Sequence, residues 1–111
     1  MSYFMNKSDV TPEKCPGGHV TYTLLTEANG CINGCVGGIS VYTDTEYKMP
    51  EYHNDQEGFV TLSGSGWARV GDEERPISAG TAFMVPKGVA HMVRAASDKE
   101  PVEVFWFHAA V

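Results

Sequence analysis

Twelve glycines and six prolines are spread along this chain of 111 residues, and they cut it into short apolar runs that recur about every ten residues. That punctuation leaves little room for helices and selects an all-β fold, a sandwich or barrel of short strands. Candidate strands span 19–25, 35–42, 59–63, 67–70, 75–78, 82–85, 91–95 and 102–107, most of them carrying Val, Thr, Tyr, Phe or Trp. Gly71 and Asp72 lie between two alternating runs and mark a hairpin turn. Residues 90–99 have a helix-like composition, but Pro86 and Gly88 precede them and Pro101 closes them, so a strand is the preferred reading there. The first fourteen residues are polar and aperiodic and are expected to form an arm, with one domain over 15–111.

The composition excludes several functions. Fourteen acidic against eight basic residues give a net charge of −6, with no Lys/Arg cluster, so the attraction that draws proteins to nucleic acid or anionic membranes is missing. No apolar run approaches the ~20 residues of a membrane span, and residues 1–7 lack the pattern of an export signal. A cytoplasmic protein is expected. Cys15, Cys31 and Cys35 are an odd number without that signal, and three residues separate Cys31 from Cys35 where a redox pair or zinc knuckle has two. All three are read as strand or turn residues. In 102–108, Val102, Val104, Trp106 and His108 share one face of a strand and Glu103, Phe105 and Phe107 the other. Both faces are apolar enough to be covered, which in so short a chain points to a homodimer.

Metal-ligand chemistry concentrates in two segments. Glu51 and His53 are two residues apart and point to one side of an extended chain, and Glu57 follows four residues on. One imidazole and two carboxylates within seven residues suit a divalent transition metal, given one more ligand from elsewhere. His91 supplies it, opening a strand after the turn made by Pro86 and Gly88.

These segments resemble the motifs of the cupins, small β-barrels of the jelly-roll type, also described as a double-stranded β-helix. One cupin motif is glycine, five residues, proline, one residue, glycine, two residues, histidine; Gly80, Pro86, Gly88 and His91 match it at every spacing. The other is His-x-His, then glutamate and a later glycine; His53, Glu57 and Gly64 match it, with Glu51 where the first histidine is expected. Thr45 and Ala95 stand where the family has a glycine and an asparagine. The resemblance covers residues 51–95. It implies a cupin β-barrel with Glu51, His53, Glu57 and His91 as metal ligands around a divalent ion (Fe, Mn, Ni or Zn). A small organic molecule would sit over the ion, with dioxygenation, isomerisation or decarboxylation as candidate activities.

The glutamate at position 51 bears on the chemistry. Three histidines and one glutamate leave a divalent ion with a formal charge of +1, whereas Glu51, His53, Glu57 and His91 together leave it neutral and a weaker Lewis acid. Alternatively, Glu51 stands back as a general base beside three ligands. A non-catalytic cupin that binds a sugar or metabolite, or that sequesters a metal, is the rival reading. His19, after Gly17 and Gly18, is read as a surface turn residue. His108 either projects into the barrel or, three residues from the C-terminus, takes no part, and the second is preferred. Tyr52, Phe59, Phe83, Trp67 and Trp106 are read as core or pocket wall, and Arg69 and Arg94 as outward-facing.

Overall fold

The computed structural model describes residues 2–111. Nine strands form among the described residues: β1 (Glu13–Lys14), β2 (His19–Leu25), β3 (Val36–Tyr42), β4 (Gln56–Ser63), β5 (Ser65–Val70), β6 (Glu73–Ser78), β7 (Ala82–Val85), β8 (His91–Ala95) and β9 (Val102–Ala109). They make two antiparallel sheets, one of six strands in the order β1-β2-β3-β9-β4-β7 and one of three in the order β6-β5-β8. Among the described residues the only helical pieces are two 3-10 turns, Lys7–Asp9 and Glu27–Asn29. The fold is an all-β jelly roll, and none of its helices is long and apolar enough to cross a membrane.

Alternation explains how the sheets face each other. In β9, Val102, Val104 and Trp106 are buried while Glu103, Phe105 and Phe107 are half-buried. In β8, His91, Val93 and Ala95 point inward; in β4, Glu57, Phe59 and Thr61 do. The inward apolar set closes the core with Tyr42, Ala68, Ile77 and Val85. Full burial of a valine such as Val102 or Val104 contributes about 1.5–3 kcal/mol, so the last strand anchors the larger sheet. Gly38, paired with Trp106 across β3 and β9, leaves room for that ring. A Cβ there would overlap the Tyr22 carbonyl oxygen and stand 3.0 Å from Trp106 Cζ2.

The segment 90–99 forms β8 and then a turn, as its flanking prolines require. Gly71, at φ +59°, and Asp72 make the two-residue hairpin between β5 and β6. Strand β4 begins three residues earlier than the apolar pattern suggests. Gln56, Glu57 and Gly58 are not strand formers, yet all three pair with β9, and Glu57 and Gly58 pair with β7 as well. Strand β1 lies within the expected arm, Glu13 and Lys14 pairing with Thr21 and Val20. Ahead of it, Lys7 reaches Glu103 at 3.2 Å and sits over the Tyr22 ring.

Two readings require correction here. Tyr52 is 67% exposed and belongs to neither core nor pocket wall. The backbone pairing that draws in its neighbours Glu51 and His53 turns the residue between them to solvent. His19 is buried, because it is the first residue of β2 and pairs with Tyr42, whose ring it stacks on at 4.4 Å.

Candidate metal centre

The two sequence segments meet through a short backbone ladder. The Glu51 N–H donates to the His91 carbonyl at 3.0 Å, the His91 N–H donates back to Glu51 at 2.8 Å, and the Gly88 N–H donates to the His53 carbonyl at 2.8 Å. Residues opposite each other in such a pair share a face, so Glu51 and His91 both point inward. The turn that presents His91 is closed by the Val89 N–H on the Pro86 carbonyl at 3.1 Å. Gly88 supplies its left-handed residue at φ +77°.

Glu57 is the centre of the cluster. Its side chain is 8% exposed, and His108 stands opposite it across β4 and β9. His53 Nε2 lies 3.2 Å and His91 Nε2 3.4 Å from Glu57 Oε1, while His108 Nε2 lies 3.3 Å from Oε2. Ligand atoms of His53, Glu57 and His108 all fall within 4.8 Å of one another. Glu57 Oε1, although two imidazole nitrogens approach it, has no hydrogen-bond partner. A buried carboxylate oxygen in that state is costly, and nitrogens that converge on it without donating suit a common cation. His53, Glu57 and His108 thus form a group that could hold a metal ion, with His91 Nε2 at its edge, 3.4 Å from Glu57.

The electrostatics of the cluster divide its histidines. His108 is pushed up to about 9, first by its hydrogen bond to Glu57 and also by Asp55, whose Oδ1 lies 2.9 Å from His108 Nδ1. Burial opposes that rise. His91 is lowered, chiefly by desolvation, with Glu57 acting in the other direction. An ion bound through His108 would have to displace a proton there, whereas one bound through His91, whose burial favours the neutral ring, would not.

Of the residues singled out in the sequence, His53, Glu57 and His91 come together here. Glu51 faces the same pocket but pairs with His19, Oε1 to Nε2 at 3.8 Å. His19 is lowered by desolvation, and the Tyr42 hydroxyl beneath it is held well above its usual range by burial and by Glu51. The pocket, about 140 Å3, is walled by Tyr42, Phe59 and Trp106. Trp106 is fixed by donating from Nε1 to Thr21 Oγ1 at 2.9 Å, and Ser40 donates to the same oxygen. A larger cleft of about 340 Å3, lined by Val70, Ile77 and Met84 with Glu73 and Arg75, contains no histidine.

His108 and His19 join the site against expectation. The signal for His108 was present, since it shares the inward face of β9 with Val102, Val104 and Trp106. For His19 the signal was weak: two glycines mark a turn, and only the pairing of β1 with β2 shows that the turn ends before position 19.

Comparisons with known proteins agree with this fold. A family model described as a cupin domain matches residues 41–108. L-ectoine synthase of Aliivibrio fischeri is 36% identical over 73 residues, 65% of this chain and 56% of that protein. The chain thus spans about half the length of the curated relatives it matches. Among solved structures, a predicted oxalate decarboxylase from Thermotoga maritima superposes with a TM-score of 0.80 at 18% identity, covering 96% of this chain and 97% of that one. Iron(II) HppE in complex with substrate gives a TM-score of 0.82 at 15% identity, covering 96% of this chain and 59% of that one. At such identities the two structures speak for the fold.

Proposed function

This chain belongs to the cupin family, and from that premise we propose that it is a metalloenzyme domain that holds a small organic molecule beside a divalent transition metal. His53, Glu57, His91 and His108 hold the ion, with Fe, Mn, Ni or Zn matching the donor set. When bound, the ion supplies Lewis acidity to a substrate oxygen. Tyr42, Phe59 and Trp106 shape the pocket for a molecule of few heavy atoms and exclude water from it. Glu51 stands on the substrate side, backed by His19, and serves as the group that takes and returns a proton. A proton-transfer reaction of the isomerase kind uses this pair, whereas a dioxygenase needs only the ion and the pocket.

The observation that carries the reading is the buried Glu57 Oε1, approached by two imidazole nitrogens and hydrogen-bonded by neither. The test is to strip the protein with a chelator and titrate it with Fe(II), Mn(II), Ni(II) and Zn(II). Binding at one ion per chain should raise the melting temperature, since saturation at a thousandfold excess over Kd contributes about 4 kcal/mol. No shift with any of the four ions, together with only trace metal in untagged protein, refutes the proposal.

The outer face of the larger sheet suits a second copy. Val60, Leu62 and Met84 are exposed beside the stacked rings of Phe105 and Phe107, and we assign this face to a homodimer.

A further inference from the structure

The loop between β2 and β3 has chemistry that the metal centre does not use. It begins on Thr26, which caps the 3-10 turn: Thr26 Oγ1 accepts from the Ala28 N–H, and the Thr26 N–H donates to Asn29 Oδ1 at 2.7 Å. Gly30 follows at φ +114°, and the Cys31 N–H donates to the Thr26 carbonyl at 3.0 Å, pinning the first thiol-bearing residue. The second is pinned by a tight turn. Asn33 and Gly34 take φ +54° and +79°, and the Cys35 N–H donates to the Ile32 carbonyl at 3.1 Å. Two consecutive left-handed residues of the Asn-Gly type reverse the chain.

That reversal changes what the three-residue spacing means. In an extended strand, residues four apart stand about 13 Å from each other, beyond the reach of a disulfide. Here the Asn33–Gly34 turn folds Cys35 back toward Cys31, and the Cys31 thiol is raised by burial and by Cys35 beside it. Cys35 is exposed and Cys31 half-buried, so a reagent from solvent meets Cys35 first. Cys15 sits elsewhere, in the pocket beside His19 and Glu51.

We propose that Cys31 and Cys35 are a reversible redox pair that closes an intramolecular disulfide by exchange with a small-molecule disulfide. The Cys35 thiolate attacks one sulfur of the reagent, forming a mixed disulfide and expelling one thiolate, which takes up the proton Cys35 lost. The Cys31 sulfur then attacks Cys35 Sγ, loses its own proton and expels the second thiol. The protein gives up two electrons and two protons, and one disulfide becomes two thiols. Cys31 and Cys35 are each held by a backbone hydrogen bond in the reduced form, to Thr26 and Ile32 respectively.

The experiment equilibrates the intact chain with reduced and oxidised glutathione over a range of ratios, traps free thiols with N-ethylmaleimide, and cleaves after glutamate. Cleavage puts Cys15 in fragment 14–27 and the pair in fragment 28–46. At oxidising ratios, fragment 28–46 should be two hydrogens lighter and take no maleimide, while Cys15 takes one. Dithiothreitol should restore two maleimides to fragment 28–46. In C31S the second step is blocked, and Cys35 should accumulate as its glutathione adduct. Two maleimides on fragment 28–46 at every ratio overturn the proposal. So do glutathione adducts in the wild-type chain without ring closure, or disulfides between chains only. The wild-type measurement decides the question even if the variant does not fold.

Discussion

Raising the pH of the metal-stripped protein should destabilise it in a window set by His108. The imidazolium of His108 bridges Asp55 and Glu57, at 2.9 and 3.3 Å, and its folded value of about 9 stands above the 6.5 of an unperturbed histidine. A group whose folded value is raised contributes its full stability below the unfolded value and loses it as pH climbs through the folded one. The loss therefore begins near pH 6.5 and is complete somewhat above pH 9. Taken whole, the shift corresponds to ~3 kcal/mol, and screening by the solvent that reaches the ring reduces this to about 1–2 kcal/mol. For a domain of this size that is a fall of roughly 5–10 °C in melting temperature. The assay is a thermal melt from pH 6 to 10 in chelator, comparing wild type with H108Q. The difference between the two curves isolates the contribution of His108 from that of every other group. H108Q should melt lower at pH 6.5 and converge on wild type by pH 9.5. A gap that does not change with pH refutes the bridging role.

Other expectations follow from the same geometry. Below pH 6.5 the metal-free protein should lose stability as His19 and His91, both lowered chiefly by burial, are forced to take protons; a melt from pH 6.5 to 5 checks the sign. H53A, E57A and H91A should each weaken metal binding by at least ~100-fold in a competition assay with a chromophoric chelator, whereas E51Q should change it by no more than about twofold. Equal losses for E51Q and H91A would put Glu51 among the ligands. G38A should cost about 1–3 kcal/mol in urea denaturation, because its Cβ meets backbone at Tyr22, and an unchanged midpoint would contradict that packing. Light scattering should give twice the chain mass, falling to the chain mass in a V60K/M84K double variant.

How much of this was legible in the sequence depended on the range of the interaction that made each feature. The barrel was legible because glycine, proline and period-two alternation act locally, and Gly80, Pro86, Gly88 and His91 recorded a turn within twelve residues. The start of β4 was not. Gln56 is held by pairing with β9, and Glu57 and Gly58 by pairing with both β7 and β9, strands far along the chain that no local propensity reports. Position 108 lay between these cases. Its face was readable from the alternation of β9, but what faced it depended on the register of β9 against β4, set by tertiary packing.

That register also bears on the charge of the site. With Glu51 counted among the ligands, two carboxylates and two imidazoles leave a divalent ion neutral. In the structure Glu51 pairs with His19, and His108 approaches Glu57 from the last strand. As ligands, the proposed set His53, Glu57, His91 and His108 would restore three imidazoles and one carboxylate, hence a formal +1 and a stronger Lewis acid. On that assignment a histidine absent from one strand would be replaced from another, and the carboxylate standing in its place would be left to handle protons. The two assignments are linked, because a Glu51 that bound the ion would leave His19 unpaired in the pocket and His108 surplus. H108A and E51Q should accordingly fail in opposite ways. Loss of His108 should lower metal occupancy, and loss of the Glu51 carboxylate should leave occupancy intact while removing the base.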